Sequence, residues 1–152
     1  MKTALMLIDV INSFFHPDGA NYDASYDAIL KNILQLLTFA RSAHAPIFHV
    51  MEGHKRGPGT DFEWKKLPEH CYLGEFDAQP VEGIDIRQGE EYIVIKRLAC
   101  VSFATDLDIL LRESGVTRII VVGVKSHVCI RATVQDAFGY GYEVIVPREA
   151  VG

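Results

Sequence analysis

The sequence contains no hydrophobic run long enough to cross a bilayer, because Asp9 and Asn12 interrupt the apolar stretch near its start. The first ten residues, MKTALMLIDV, lack the length and the small-residue cleavage site of a secretory signal peptide. Positive charge is not in excess, since 15 Lys and Arg stand against 20 Asp and Glu, giving a net charge of -5. We therefore expect neither a membrane nor a nucleic acid among its partners.

Cysteine is scarce, and the cysteines are not arranged in pairs. Cys71, Cys100 and Cys129 show no Cys-x-x-Cys spacing, and their odd number argues against a disulfide framework. This usage is typical of a reducing compartment, so we expect a cytoplasmic protein. The sequence also lacks internal repeats, low-complexity tracts and domain linkers. Its 152 residues are enough for one domain with a full core, so we predict a single domain over 1–152.

Apolar runs typical of strands alternate with helical patterns along the chain. Five runs predict buried strands: TALMLID, PIFHVM, EYIVIK, RIIVVG and YEVIVP. Apolar residues have helical spacing at 23–44, at 103–111 and at 127–139. The stretch NSFFHPDGANYD, with its proline and glycine, predicts a loop. This alternation predicts a three-layer αβα sandwich around a doubly wound parallel sheet with strand order 3-2-1-4-5.

Residues 52–90 interrupt the alternation and are rich in glycine and proline. They also contain the single tryptophan, Trp64. A loop of this length inside a compact domain is usually functional or disordered. We expect it to form one wall of a substrate cleft, completed by a neighbouring subunit in a homo-oligomer. Trp64 and Phe14 are candidates for apolar pocket walls, with ordinary core packing as the alternative for both.

Three chemically reactive residues fall where predicted strands end. Asp9 ends the first strand, Lys96 ends the third, and Cys129 follows the fourth after a short neck. In open parallel sheets, ligands bind outside the carboxyl ends of the strands, so this topology sends an acid, a base and a thiol to one edge. Each residue alone has an ordinary structural explanation. A buried parallel strand, however, has no structural need to end in a charge.

The helix that is predicted to begin near Cys129 would suit a nucleophile. With Ser126 as N-cap, Cys129 would occupy the third helical position, where backbone N–H groups can hold an oxyanion. The helix dipole and Lys96 would lower the thiol pKa toward neutrality. A carboxylate at Asp9 would raise it, leaving a neutral thiol at rest. Asp9 would either hold the lysine or accept the thiol proton.

These stretches resemble the motifs of isochorismatase-like cysteine hydrolases, which include nicotinamidases, N-carbamoylsarcosine amidases and ureidoacrylate amidohydrolases. The similar segments are LMLIDVINSFF, IVIKRLACVSFATDLDILLRESGV and RIIVVGVKSHVCIRATVQDAFGYGYEVIVPREA. The resemblance implies Asp9 as catalytic aspartate, Lys96 as catalytic lysine and Cys129 as nucleophile. It further implies a cis peptide at Val124–Lys125, with the backbone N–H groups of Lys125 and Cys129 forming the oxyanion hole.

Several positions depart from the family pattern. Ile11, Ser13 and Cys100 replace a usual glutamine, acid and serine, and Ser126 replaces a threonine. These changes keep the three residues that the resemblance implies as catalytic, but they do not identify the substrate. The chain stops at REAVG, where relatives continue through a further helix. We expect either that a C-terminal element is missing from the sequence or that the protein is short.

A metal site is only partly encoded in the sequence. Glu52-x-His54 follows the second strand, where nicotinamidases carry Asp-x-His and complete a zinc or iron site with two further histidines. His70 could serve as one of these, but Thr60 stands where the other is expected. Few ligands on a flexible loop make a weak site. We therefore predict no metal and no other cofactor, with Glu52 and His54 contacting substrate or lining the cleft.

The sequence thus predicts a cysteine hydrolase that cleaves a C–N bond of a small amide or ureido compound through a thioester. We expect a small-molecule substrate and a homodimer or homotetramer. Three alternatives remain: a metal-dependent nicotinamidase, an isochorismate-type hydrolase, and a non-catalytic binding protein on the same fold. Family members that hydrolyse isochorismate do not need the cysteine, so Cys129 argues against the second. A non-catalytic relative is expected to have lost one of the three residues, and none is lost here.

Overall fold

The chain folds as a three-layer αβα sandwich around a five-stranded parallel sheet. The structure is a computed structural model that describes residues 1–59, 61–102 and 104–152. The strands are β1 Thr3–Ile8, β2 Ile47–Glu52, β3 Tyr92–Lys96, β4 Arg118–Gly123 and β5 Glu143–Ile145. They lie in the order β3-β2-β1-β4-β5, and each neighbouring pair is parallel. The predicted fold and strand order are confirmed.

Helices cover both faces of this sheet. They are α1 Asn12–Phe15, α2 Tyr26–Ser42, α3 Leu107–Glu113 and α4 Arg131–Gly139. Phe103, from which the second helical pattern was expected to start, lies outside the described residues. Within the described ranges, no helix has the length and apolar character that a bilayer span needs.

The stretch after β1 was predicted as a loop, but it begins with the helical turn α1. The N–H groups of Phe14 and Phe15 donate to the carbonyl of Ile11, at 3.2 and 3.1 Å. Both phenylalanine side chains are buried. Burial of a side chain of this size contributes roughly 1.5–3 kcal/mol, which offsets the cost of ordering so short a turn.

Two core layers form because successive side chains of a strand point to opposite faces. On β1, Leu5 and Leu7 pack in the layer beneath α1 and α2. Ala4, Met6 and Ile8 pack in the layer beneath α3 and α4. β1 is therefore apolar on both faces, which explains its unbroken hydrophobic run and its place at the centre of the sheet.

β1 and β4 approach very closely where they end, and Gly123 permits this approach. Its φ is +117°, and a Cβ built on it would lie 2.0 Å from the carbonyl oxygen of Ile8. The same Ile8 carbonyl accepts a hydrogen bond from the N–H of Val124 at 3.1 Å. This contact fixes the start of the neck that leads from β4 to Cys129.

Replacing Gly123 by alanine should therefore destabilise the fold strongly. The added Cβ meets backbone rather than a movable side chain, and alanine is strained at this φ. We expect Gly123→Ala to lower the free energy of unfolding by at least about 3 kcal/mol in urea denaturation. Gly139→Ala is the matched control, because a Cβ there meets nothing within 4 Å. A Gly123→Ala variant as stable as Gly139→Ala would contradict the close approach.

Candidate active site

The three reactive residues predicted from the sequence lie together at the carboxyl edge of the sheet. Asp9 directly follows β1, Lys96 is the last residue of β3, and Cys129 lies in a turn that follows β4. Their exposed fractions are 0%, 1% and 7%. The strand order explains the meeting, because β3 and β4 lie on either side of β1.

Lys96 contacts both other residues. Its Nζ lies 2.9 Å from Asp9 Oδ2 and 3.6 Å from Cys129 Sγ. The second carboxylate oxygen of Asp9, Oδ1, accepts a hydrogen bond from the backbone N–H of Glu52 at 2.8 Å. Asp9 itself has a φ of +53°, a left-handed conformation that aspartate tolerates better than most residues. The result is a buried acid–ammonium pair with a thiol against it.

Burial and the neighbouring charges shift the pKa of each member of this pair in opposite directions. Burial raises the pKa of Asp9 above its ordinary value, and the Lys96 ammonium only partly opposes this. Burial alone would lower the pKa of Lys96, but the negative charges around it, chiefly Asp9, outweigh burial and raise it. Lys96 therefore stays protonated, while Asp9 is better able to accept a proton than an exposed aspartate.

The expectation that Cys129 has a lowered pKa is wrong. Burial, followed by the charge of Asp9, raises its pKa to about 12, and Lys96 opposes them only in part. The physical reason is that the thiolate would be a second anion in a site where the Asp9 carboxylate already balances the ammonium. Cys129 is therefore a neutral thiol in the free protein. This is the state expected from the sequence if Asp9 affects the thiol pKa more than Lys96 and the helix dipole do.

The turn that carries Cys129 also differs from expectation. Residues Ser126–Ile130 form a π-helical turn before α4, and Lys125, not Ser126, occupies the N-cap position, with no side-chain cap. The N–H groups of Val128 and Ile130 both donate to the Lys125 carbonyl at 3.1 Å, and the N–H of Cys129 between them does not. The turn is wider than a turn of α-helix, because the N–H of Ile130 bonds to a carbonyl five residues earlier, whereas an α-helix bonds four residues earlier. The peptide bond Val124–Lys125 is cis.

Beside this pair lies a second polar cluster, formed by Glu52, His54, Glu63 and His70. One ligand atom from each of the four falls within 4.8 Å of all the others. Glu52 Oε1 lies 3.0 Å from His54 Nε2 and 2.7 Å from His70 Nε2. Glu63 Oε2 lies 3.8 Å from His54 Nε2. The structure thus brings together the three candidate ligands named from the sequence, Glu52, His54 and His70. Glu63 is a fourth member of the cluster.

Both histidine rings of this cluster have oxygen atoms at each ring nitrogen. His54 Nδ1 lies 2.9 Å from Asp61 Oδ2, and His70 Nδ1 lies 2.7 Å from the Pro68 carbonyl. With Nε2 also facing Glu52, these contacts favour rings that carry two protons, or a cation bound by Nε2 and the carboxylates together. In the proton-bound form, the hydrogen bond to Glu52 raises the pKa of His70 to about 8.

These residues therefore fit a divalent metal. The donor set of imidazoles and carboxylates suits zinc, and the oxygen at each Nδ1 is the outer contact that orients histidine ligands. Sequence reasoning missed Glu63 because it sought a histidine at Thr60, which lies outside the described residues. A search for any carboxylate in the following turn would have found it.

The two predicted pocket walls lie in different surroundings. The ring of Trp64 is half-buried and lies 4.3 Å from the His54 ring and 5.2 Å from the His70 ring, between centroids. Trp64 therefore borders the second cluster. Phe14 is 5% exposed and packs in the core layer beneath α1 and α2. The Lys125 ammonium lies 5.5 Å from its ring centroid.

Comparison with known proteins assigns a family to this fold and site. Residues 3–152 match the isochorismatase domain. The chain belongs to the isochorismatase family. Family members include proteins named as amidases and amidohydrolases of amide and ureido compounds.

Individual relatives differ in what their names state. A probable inactive nicotinamidase of Arabidopsis thaliana is 30% identical over 150 residues, covering 93% of this chain and 75% of its own. The N-carbamoylsarcosine amidase of an Arthrobacter species is 25% identical over 164 residues, covering 99% of this chain and 60% of its own. The crystal structure of a pyrazinamidase/nicotinamidase from Streptococcus mutans matches with a TM-score of 0.88 at 28% identity, covering 99% and 87%.

The raised pKa of Cys129 predicts how its alkylation depends on pH. In a variant with Cys71→Ser and Cys100→Ser, the rate of reaction with iodoacetamide should still be rising at about pH 10, because burial and Asp9 disfavour the thiolate. Adding Asp9→Asn removes the opposing carboxylate and leaves the ammonium. The rate near neutral pH should then increase at least about tenfold. A plateau near neutral pH without the Asp9 change would contradict this.

The second cluster predicts a binding site for one Zn²⁺ per chain. Uptake should release protons, because the metal replaces those on the histidine nitrogens. Equilibrium dialysis followed by metal analysis measures the affinity, and Glu63→Gln should weaken it at least about tenfold. Glu69→Gln is the control, since this exposed neighbour of His70 is outside the cluster. Equal uptake by wild type, Glu63→Gln and His70→Ala would place the metal elsewhere.

Proposed function

We propose that the protein is a cysteine hydrolase that cleaves the C–N bond of a small amide or ureido compound. The observation that carries this proposal is the buried contact of Lys96 with both Asp9 and Cys129. A thiol, a raised-pKa carboxylate and a permanent ammonium in one site are the groups that acyl transfer through a thioester requires. Membership of a family with amidohydrolases supports the same chemistry.

The reaction begins with a proton transfer that creates no net charge. At rest the site holds a carboxylate, an ammonium and a neutral thiol. When the Cys129 proton moves to Asp9, the site holds a carboxylic acid, the same ammonium and a thiolate. The ammonium, 3.6 Å from the sulfur, stabilises the new anion as it did the old one. In a buried site this balance matters, because an uncompensated charge is costly.

The thiolate then attacks the carbonyl carbon of the substrate. Backbone N–H groups of Lys125 and Cys129 bind the oxyanion that forms. Asp9 returns the proton to the leaving nitrogen, the C–N bond breaks, and ammonia or an amine departs, leaving a thioester on Cys129. Asp9 next takes a proton from water, the hydroxide attacks the thioester, and the carboxylic or carbamic acid leaves as the thiol regains its proton.

A second candidate is a metal-dependent nicotinamidase, favoured by the cluster of Glu52, His54, Glu63 and His70. These four residues would hold the ion, which when bound supplies a Lewis acid that polarises a substrate or water ligand. The residues of the catalytic site keep the roles given above in either case. We further propose that the protein acts in the cytoplasm, as a homodimer or homotetramer, on a small molecule.

Hydrolysis of a panel of small amides and ureido compounds, measured as ammonia release, tests the proposal. We expect at least one compound to be turned over, and Cys129→Ser to lower kcat/KM at least about 10³-fold, because a serine hydroxyl is a much weaker nucleophile than a thiol and cannot form the thioester. Cys100→Ser is the matched control and should retain activity. Mass spectrometry of quenched wild-type protein should find the acyl group on Cys129.

Two results would reject or redirect this function. Activity that survives Cys129→Ser would exclude the cysteine mechanism. Activity that disappears when the metal is removed, and returns with Zn²⁺, would favour the hypothesis of a metal-dependent nicotinamidase over that of a metal-independent hydrolase.

A further inference from the structure

β3 is an edge strand of the sheet, and one of its faces is apolar and exposed. Its neighbour in the sheet is β2, and Val94 packs in the core layer beneath α3 and α4. Ile93 and Ile95, on either side of Val94, therefore project from the opposite face. These two isoleucines are 44% and 38% exposed. An edge strand with exposed apolar side chains is a template for pairing with another chain.

The main chain of β3 determines which hydrogen-bonding groups this edge offers. The carbonyl of Lys96 accepts a hydrogen bond from the N–H of Gly53 at 2.9 Å, so the main-chain groups of Lys96 face β2. Along a strand, successive residues direct these groups to alternate sides. The N–H and C=O groups of Ile93 and Ile95 therefore point away from β2. No main-chain group within the described ranges bonds to them.

The sequence at this edge suits pairing with a second copy of the same chain. Ile-Val-Ile reads the same in both directions, so an antiparallel pair centred on Val94 places Ile93 opposite Ile95 of the partner subunit. Both residues direct their N–H and C=O groups outward, so each such pair can exchange two hydrogen bonds. The four isoleucine side chains then meet on one face of the joined sheet. This self-complementarity is what a twofold interface requires.

The charges near β3 favour the same antiparallel arrangement. A groove of about 460 Å³ beside Ile95 contains two cations and one carboxylate, from Lys55, Arg97 and Asp61. The groove therefore has a net positive charge. Glu90, just before β3, is exposed, and its contact with Arg87 is an exposed pair at 3.7 Å. Pairing centred on Val94 brings Glu90 of the partner subunit to position 98, beside the groove, where opposite charges attract.

We propose that two copies of the chain join through their β3 edges, so that their sheets form one continuous sheet. This inference assigns a surface to the homo-oligomer proposed above, and it does not depend on the hydrolase activity. The groove includes Asp61, which lies 2.9 Å from His54 Nδ1. The partner subunit would therefore contact the segment that carries part of the second cluster and stabilise it from the side away from the thiol.

Sedimentation velocity at micromolar concentration tests this surface. Wild-type protein should sediment as a dimer or a tetramer, and Ile93→Lys should halve that mass, because it places an ammonium group within the apolar contact. Ile145→Lys is the matched control and should keep the wild-type mass, since Ile145 is 39% exposed on β5, the opposite edge strand. Circular dichroism checks that both variants are folded. A monomeric wild type, or a folded Ile93→Lys variant of wild-type mass, would overturn the proposal.

Cysteine crosslinking tests the register without adding a charge. In the Cys71→Ser, Cys100→Ser background, one protein carries Ile93→Cys and a second carries Ile95→Cys. Facing Cα atoms of a hydrogen-bonded antiparallel pair lie about 5.5 Å apart, within the range of a disulfide. Oxidation should therefore crosslink a mixture of the two proteins after subunit exchange. Either protein alone should give at least about tenfold less crosslinked dimer, because each new cysteine then faces an isoleucine.

The crosslinking result is independent of catalysis. Efficient crosslinking in the mixture supports the interface even if no amide or ureido compound is hydrolysed. A mixture that forms no more crosslinked dimer than the separate proteins would reject the pairing centred on Val94, and would leave the proposed hydrolase function unaffected.

Discussion

Two opposite charges, on Asp9 and Lys96, lie almost completely out of water, and the geometry of the sheet is what keeps them together. Removing one member of such a pair leaves the other uncompensated at a cost of about 3–5 kcal/mol. β2 lies between the two strands that carry the pair, so the backbones of β1 and β3 are about 10 Å apart. A long lysine side chain spans that gap. β2 contributes the N–H of Glu52, which satisfies the other carboxylate oxygen of Asp9.

The same pair determines the protonation state of Cys129, the proposed nucleophile. Because Asp9 already neutralises Lys96, the ammonium cannot hold a thiolate in the free protein, and Cys129 keeps its proton. The site holds one negative charge beside the ammonium, either on the Asp9 carboxylate or on the Cys129 sulfur. A neutral thiol is also less readily oxidised than a thiolate, so this arrangement protects Cys129 from oxidation in the free protein.

Much of this site could be read from the sequence because it depends on where strands end. Asp9, Lys96 and Cys129 each follow a hydrophobic run, and a parallel sheet brings such ends to one edge. The sign of the Cys129 pKa shift could not be predicted, since it depends on the balance of burial, carboxylate and ammonium at distances of a few ångström. Glu63 was missed for another reason: the sequence was searched for a histidine at position 60, whereas the structure supplies a carboxylate from the short helical turn Glu63–Lys65.

Glu52 serves both polar groups, but with different parts of the residue. Its main-chain N–H holds Asp9, and its side chain faces the histidines. Every amino acid except proline supplies that N–H, so the side chain at this position is free to vary without releasing the Asp9 carboxylate. The side chains that face the second cluster can therefore change, with or without a metal, while the main chain at this position still holds the proposed catalytic carboxylate in place.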